Sequence, residues 1–381
     1  MPPRIAHVIS TRGIGGAERL LAALVGCGEA HGWRQLVLNP FAGPAAEELG
    51  ASCAPASFEA RACAGPLALP GTRRWLGDRL EAFAPDVVHV MLFHALTVVG
   101  TLPRRPGTRR VATNVYGDWP TIAPRGGLVR PVDRWAGRRV DHVIAISQSV
   151  RRYLVSSYGY PSSSVSCIPL GWLGTPQPRR SDPERPTIVC VGGLRPEKGH
   201  ETLLAAMSLV HDRISAARLV VVGDGDRRPA LEADVAHRGL ERAVEFAGAV
   251  PDVWPHLAAA DVFASASHAE AFGIGIAEAM AAELPVVAPD VGAIPELVRP
   301  GVTGELYPPG DHVALAGHLV RLLEAPDLRA RMGTAGRAVA EDLRMEHVVE
   351  RYFEVFDEMR RRAAGDVQPA SGQGDGAGAL V

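Results

Sequence analysis

The sequence predicts an α/β protein built from two doubly wound domains that face each other across a cleft. Three observations lead there. At 381 residues the chain is too long for one ordinary domain. Short Val- and Ile-rich runs alternate with helix-length segments along most of it, the pattern of a parallel sheet covered on both faces. One proline-rich stretch, GTPQPRRSDPERP at 174–186, interrupts that alternation, which then starts again.

The first element is a buried strand, Ile5–Ile9. A glycine-rich turn, TRGIGG, and a helix opening at AERLLAAL follow it. Strands follow at 35–39 (QLVLN), 85–91 (PDVVHVM), 109–116 (RRVATNVY) and 141–147 (DHVIAIS), with helical patterns at Ala136–Arg139 and Ser149–Tyr158. These make a first domain, 1–173. The segment 174–186 has four prolines and reads as a linker. In the second domain, 187–345, strands are expected at 187–193, 217–225, 244–250, 261–267 and 285–290, with a helix at 200–210. The region from about Asp311 to Arg361 is helical by period. Its last helix, 346–363, is expected to pack back on the first domain, and the Ala/Gly-rich 364–381 to be a disordered tail.

Composition narrows the function. Apolar residues make up 47% and charged residues 22%, as in ordinary globular chains, and the formal net charge of −2 offers no basic surplus for nucleic acid. Five scattered cysteines without a CxxC argue against a disulfide framework or a zinc site and fit a reducing cytosol. The N-terminal apolar run is too short for a signal peptide. No window of eighteen apolar residues suggests a membrane span. A cytoplasmic protein is expected.

Three stretches have the residues for chemistry. Gly13, Gly15 and Gly16 lie between a strand and a helix start, where they make either a tight turn or an anion site. In VGGLRPEKG, Arg195 and Lys198 follow a strand end and are placed to neutralise a diphosphate; a solvated loop is the other reading. In HAEAFGIGIAEAM, Glu270 falls in the loop after a strand, and a helix is expected from about Phe272 to Ala282. That helix carries Glu278 in its second turn, with Gly273 leaving N–H groups accessible. Carboxylates there can accept hydrogen bonds from a polyhydroxylated ligand, and the N–H groups can meet phosphate. Dipole complementation explains only one of the two glutamates well.

The block EAFGIGIAEAMA at 270–281 and the following LPVVAPDVGAIPELV resemble the donor-site signature of the family-4 (group 1) retaining glycosyltransferases. So do GGLRPEKGHETLLAA, LVVVGDGDRRPALE and VEFAGAVPDVWPHLAAADVFASAS, an almost continuous run from about Thr187 to Glu341. In the first half GIGGAERL, PDVVH and DHVIAISQSVRRYL do the same. The resemblance implies the GT-B fold, two Rossmann-like domains with the nucleotide-sugar donor held by the second and the acceptor by the first. It implies that Glu278 binds the donor ribose and Glu270 hydroxyls of the transferred sugar. Phe272, Gly273 and Ile274 supply backbone contacts, Lys198 and Arg195 bind the diphosphate, Gly15 and Gly16 approach it from the first domain, and Val250 lies at the base edge. It implies retention of anomeric configuration, with no metal and no cofactor. Asp224 and Asp226 in GDGD read as a strand-end turn. UDP or GDP is the expected nucleotide; the acceptor is unidentified, lipid-linked or polysaccharide among the choices.

Three positions depart from the family's pattern. Gly193 stands where an arginine is common, with Arg195 two places on. Thr113 or Asn114 stands near where many relatives carry a histidine, and His94 is the nearest alternative. Glu283 stands where a helix usually ends in glycine, a left-handed position that strains other residues by about 1 kcal/mol. In 125–139 (RGGLVRPVDRWAGRR), Arg130, Arg134 and Arg138 interleave with Leu128, Val132 and Trp135. This is either a solvated helix face or a basic amphipathic surface for anionic lipid or a phosphorylated acceptor, and so a peripheral membrane contact. Two other functions fit the same pattern: a nucleotide-sugar epimerase, and a nucleotide-sugar-binding protein without transfer activity. A phosphorylase using pyridoxal phosphate needs a Schiff-base lysine, and the single lysine, Lys198, lies in the phosphate loop.

Overall fold

The computed structural model describes residues 1–11, 15–53, 56–61, 69–114, 129–180, 182 and 184–365, with Val129 and Arg130 as backbone alone. Gly13, residues 125–128 and nearly all of the 364–381 tail lie outside the described residues.

Two all-parallel sheets form. The first holds β1 (Arg4–Ile9), β2 (Arg34–Asn39), β3 (Ser57–Ala60), β4 (Val87–Met91), β5 (Arg109–Asn114), β6 (His142–Ala145) and β7 (Val165–Cys167). Its order is β3-β2-β1-β4-β5-β6-β7. The second holds β8 (Thr187–Val191), β9 (Arg218–Val222), β10 (Val244–Gly248), β11 (Val262–Ala264), β12 (Val286–Pro289) and β13 (Gly304–Tyr307), in the order β10-β9-β8-β11-β12-β13. The chain reverses its direction of winding between β1 and β4, and again between β8 and β11. Open α/β sheets bind ligands outside the carboxyl ends of strands at such switch points. β3, β7 and β13 were not expected from the sequence. Each is three or four residues long, and SFEA, VSC and GELY have no run of branched residues.

The linker is not a loose hinge. Arg179 donates to the carbonyls of Glu283 (3.0 Å) and Ala260 (2.8 Å) and lies 3.8 Å from the buried Asp261. Proline keeps the segment out of a ladder, but one guanidinium docks it on the second domain. Glu283 takes the left-handed conformation, φ 58°. Its N–H donates to Met280 O and that of Leu284 donates to Ala279 O, both at 3.0 Å, the paired bonds of a Schellman cap.

The main chain passes between the domains at 171–174 and returns at 342–345. The two crossings are bonded together. Trp172 N–H donates to Leu343 O (3.0 Å), and Met345 N–H donates to Trp172 O (3.1 Å). A Cβ on Gly171 would stand 2.6 Å from Met345 Cα, so this approach requires glycine. The Trp172 indole is buried, donates to Ala340 O (2.7 Å) and meets the ring of Trp254 at 5.5 Å. After the return crossing, helix Met345–Ala364 lies on the first domain. Tyr352, Phe353 and Phe356 are buried there, and His31 stacks on Phe353 at 4.1 Å.

A buried polar chain runs through the first sheet to this helix. Gln35 Nε2 donates to Val25 O (2.7 Å), so Gln35 Oε1 is left to accept from His7 Nε2 (3.1 Å). His7 Nδ1 must then accept from His89 Nδ1 (2.9 Å), and His89 Nε2 from the hydroxyl of Thr113 (2.7 Å). Tyr352 stands at the end of the chain, its hydroxyl 3.5 Å from Thr113 Oγ1. Every proton is assigned with both imidazoles neutral. Burial enforces this by lowering His7 to about 4 and His89 well below its ordinary value.

Two outcomes are expected. Trp172→Ala removes a buried indole from the joined crossings, and urea unfolding should show a loss of about 3–5 kcal/mol. For His7, the unfolded chain binds more protons than the native one between pH 6.5 and about 4. Stability is therefore intact above pH 6.5 and falls as pH drops through that window, by on the order of 3 kcal/mol from this residue. Because other buried groups titrate in the same window, the readout is the difference between the parent and His7→Gln; a difference in urea midpoint that stays level from pH 7 to 4 would contradict a neutral, buried His7.

Candidate active site

The β8/β11 switch point gathers the residues singled out in the second domain. β8 ends at Val191 and leads through Gly192 into a short 3-10 turn, Pro196–Lys198. β11 leads through Ser267 to Glu270. Helix Ile274–Ala281 then begins, with Gly273 at its cap, φ 100°. This helix starts two residues later than expected, because Phe272 is drawn into the core instead.

Lys198 Nζ lies 2.5 Å from Glu270 Oε2, and the same oxygen accepts a 3.4 Å bond from Ser267 Oγ. Both charged side chains are about one-fifth exposed or less. They line a cavity of about 40 Å³ with Gly192, His200, Gly273 and Ile274. His200 is buried and neither ring nitrogen has a partner among the described residues. Burial lowers its pKa to about 4, with Glu201 opposing and Lys198 adding to the shift. Sequence reasoning passed over His200, whose position just after the phosphate loop was the available signal.

Glu278, in the second turn of the same helix, is buried. Its carboxyl is pushed up to about 7 by burial; Arg19 opposes the shift and Asp252 adds to it. Arg19, from helix Gly16–Gly28 of the first domain, reaches Glu278 Oε1 at 3.4 Å. This contact across the cleft was also missed, since 259 residues separate the partners. Gly16 faces Ile274, and a Cβ there would come within 2.6 Å of Ile274 Cδ1. The N–H of Gly15 is taken by Glu18 Oε2 (2.9 Å), a capping bond that a diphosphate would have to replace or share. A second carboxylate also crosses the cleft. Glu296 accepts from the N–H groups of Gln148 (2.8 Å) and Ser149 (2.6 Å) at the start of helix Gln148–Tyr158.

The remaining expected residues are less central. Arg195 is 62% exposed and pairs with Glu197 at 3.0 Å rather than with the Lys198–Glu270 pair. Val250 is partly buried against the core after β10. Thr113 points into the interior, bonded to His89. His94 packs its ring edge on Phe41 and Phe93. Asp224 Oδ1 accepts from Gly225 N–H, as expected of a strand-end turn. In the basic stretch, helix Val129–Gly137 ends before Arg138. Val132 and Trp135 are more than one-third exposed, and Arg139 stacks 4.0 Å over the indole of Trp135.

Comparison with known proteins bears on this arrangement. The sequence profile described as glycosyl transferases group 1 matches residues 175–339, and that of glycosyltransferase family 4 matches 14–172. The GDP-mannose-dependent alpha-(1-6)-phosphatidylinositol monomannoside mannosyltransferase of Mycolicibacterium smegmatis is 32% identical over 271 residues, 65% of this chain and 69% of that one. The D-inositol 3-phosphate glycosyltransferase of Segniliparus rotundus is 30% identical over 335 residues, 80% of this chain and 70% of that one. Among solved structures, Anabaena Alr3699/HepE in complex with UDP superposes with a TM-score of 0.78 at 21% identity, over 93% of this chain and all of that one. The two doubly wound domains facing a cleft are the GT-B arrangement.

One consequence of the geometry is measurable without any ligand. Between pH 4.5 and about 7 the native chain holds a proton on Glu278 that the unfolded chain releases, so this group destabilises the empty protein as pH rises through that window. Glu278→Gln should raise unfolding stability at pH 8 by on the order of 3 kcal/mol and leave it unchanged near pH 4. A variant less stable than the parent at pH 8 would mean that the Arg19 contact outweighs burial.

Proposed function

The chain belongs to the group 1, family 4 glycosyltransferases, and we propose that it moves a sugar from a UDP- or GDP-sugar to an acceptor hydroxyl with retention of anomeric configuration. The family sets the class of reaction, a glycosyltransfer from a nucleotide sugar. The observation that carries the finer reading is the meeting of Lys198, Glu270 and the start of helix Ile274–Ala281 at the β8/β11 switch point, with Glu278 buried beside them.

Each group has a task in this reading. Lys198 exchanges part of its bond with Glu270 for the donor diphosphate, and the N–H groups at Gly273 and Ile274 face the same oxygens. Glu270, released in part, accepts from hydroxyls of the transferred sugar. Glu278 accepts from the ribose diol, which requires its ionised form and therefore favours binding above pH 7. When the bond from the sugar to the diphosphate breaks, negative charge collects on the leaving oxygen, and the fixed cation and N–H dipoles stabilise it. That oxygen takes the acceptor's proton on the same face, so configuration is kept.

The acceptor meets the first domain. A carrier at a membrane surface is supported by the relatives named for phosphatidylinositol mannosides, and by exposed Val132 and Trp135 beside Arg134 and Arg139. Among the described residues no helix is long and apolar enough to cross a membrane.

Calorimetric titration with UDP, GDP and ADP tests the donor side. One of the first two should bind, and Glu278→Ala and Lys198→Ala should each weaken it by on the order of 3 kcal/mol. Unchanged affinity in both variants would remove these residues from the donor site. A product with inverted anomeric configuration by proton NMR would exclude the retaining course.

A further inference from the structure

The first domain has a second cavity, on the face away from the cleft. It measures about 520 Å³ and lies between helix Leu69–Phe83 and the loop that leads into β5. Val88 and Arg110 line it, and both lie at the amino ends of their strands, β4 and β5. The cleft adjoins the other ends, at Met91 and Asn114. Four residues of strand put roughly 13 Å between the two edges. No residue of the donor site borders this cavity.

Its lining is strongly cationic. Arg73, Arg74, Arg104, Arg105 and Arg110 face two carboxylates, Asp78 and Glu81. Of the five arginines, Arg104 alone forms an ion pair among the described residues, with Asp141 at 3.0 Å. Three others are held by neutral carbonyls. Arg73 Nε donates to Thr101 O (3.2 Å), Arg105 Nη1 to Glu81 O (3.1 Å), and Arg110 Nη2 to Leu102 O (3.1 Å) and Pro103 O (2.6 Å). A carbonyl fixes a guanidinium in place without cancelling its charge. The forks are therefore oriented while their charge is left uncompensated.

Arg110 makes the case specific. It is 7% exposed and its Nη1 has no partner. Burial depresses its pKa, neighbouring Arg104 and Arg139 depress it further, and Asp141 alone opposes them. Burying a guanidinium among like charges is costly unless an anion compensates it. Leu80, Val88 and Leu102 give the cavity an apolar wall as well. Its volume matches that of small-molecule sites.

We propose that this cavity binds a small molecule bearing a phosphoryl group, separately from the donor, with the phosphoryl oxygens on Arg73, Arg105 and Arg110 and an apolar or ring portion against Leu80, Val88 and Leu102. A singly charged carboxylate would leave most of the arginine charge unmet. A phosphate monoester or diphosphate meets it and matches the bidentate forks. The proposal does not depend on the assignment of the donor site.

The test is calorimetric titration of the full chain with pyrophosphate at low ionic strength, in a Lys198→Ala background that disables the cleft cation. Binding should persist in Lys198→Ala and weaken about tenfold or more when Arg73→Ala and Arg105→Ala are added. Both added positions are exposed, so the fold should hold where Arg110→Ala would risk it, and circular dichroism checks this. Absence of binding in Lys198→Ala, or equal affinity in the triple variant, overturns the proposal. Sedimentation with phosphatidylcholine vesicles, with and without phosphatidic acid, then identifies the source. Arginine-dependent sedimentation with phosphatidic acid assigns the site to a lipid headgroup. Pyrophosphate binding without sedimentation assigns it to a soluble phosphate ester.

Discussion

The contacts made across the cleft depend on two backbone hydrogen bonds of one tryptophan. Trp172 bonds to Leu343 and Met345, so the outgoing and returning crossings run as one bonded pair. The indole then anchors the pair through Ala340 and Trp254, with the guanidiniums of Arg344 and Arg337 at 5.1 and 6.0 Å from its ring. This joint sets the two sheets with their switch points opposed. The contacts from Arg19 to Glu278 and from Glu296 to the helix at Gln148 exist because of that setting. Either would be lost if the crossings were pulled apart.

The electrostatics of the cleft are arranged at a cost to stability. A carboxylate is buried at Glu278 with one partially exposed arginine for compensation, and its pKa rises accordingly. Lys198 and Glu270 are paired with each other in the empty protein, each occupying the partner that the proposed donor would supply. A ligand carrying both negative phosphate oxygens and hydroxyl donors satisfies the two sides together. The amine and the carboxylate of the empty site are thus bonded to each other, and the proposed donor complex exchanges those partners, while both ring nitrogens of His200, in the same cavity, have no partner among the described residues.

Much of this was legible in the sequence, for identifiable reasons. The strands of both switch points are short runs rich in branched or aromatic apolar residues, β1, β4 and β8 following a proline closely, so β1, β4, β8 and β11 could be placed within about two or three residues. Glu270, Glu278 and Lys198 stood out as charges directly after such strands or early in the next helix. β3, β7 and β13 did not, because three or four residues carry no usable period. The Arg19–Glu278 contact depends on how two domains meet, and no local pattern encodes that. The linker is legible from its prolines as a segment outside the core; that Arg179 docks it is a long-range contact a local window does not contain. Nothing in the local sequence marks Arg110, one of many arginines at a strand start. Its burial comes from the loop folding over it, not from its neighbours in sequence.

Lys198 has a property that follows from its solitude. The chain has 40 lysines and arginines, and 39 of them are arginines. Arginine stays protonated at any ordinary pH, while a lysine amine is nucleophilic once it loses its proton. An acylating reagent therefore finds one side-chain amine in the whole molecule, and that amine is the cation at the β8/β11 switch point. Acetylation, whether by a reagent or by a cellular acyl donor, would neutralise no other side chain and would convert this cation into a neutral amide beside Glu270. In most proteins lysine chemistry is spread over the surface; here it has a single address.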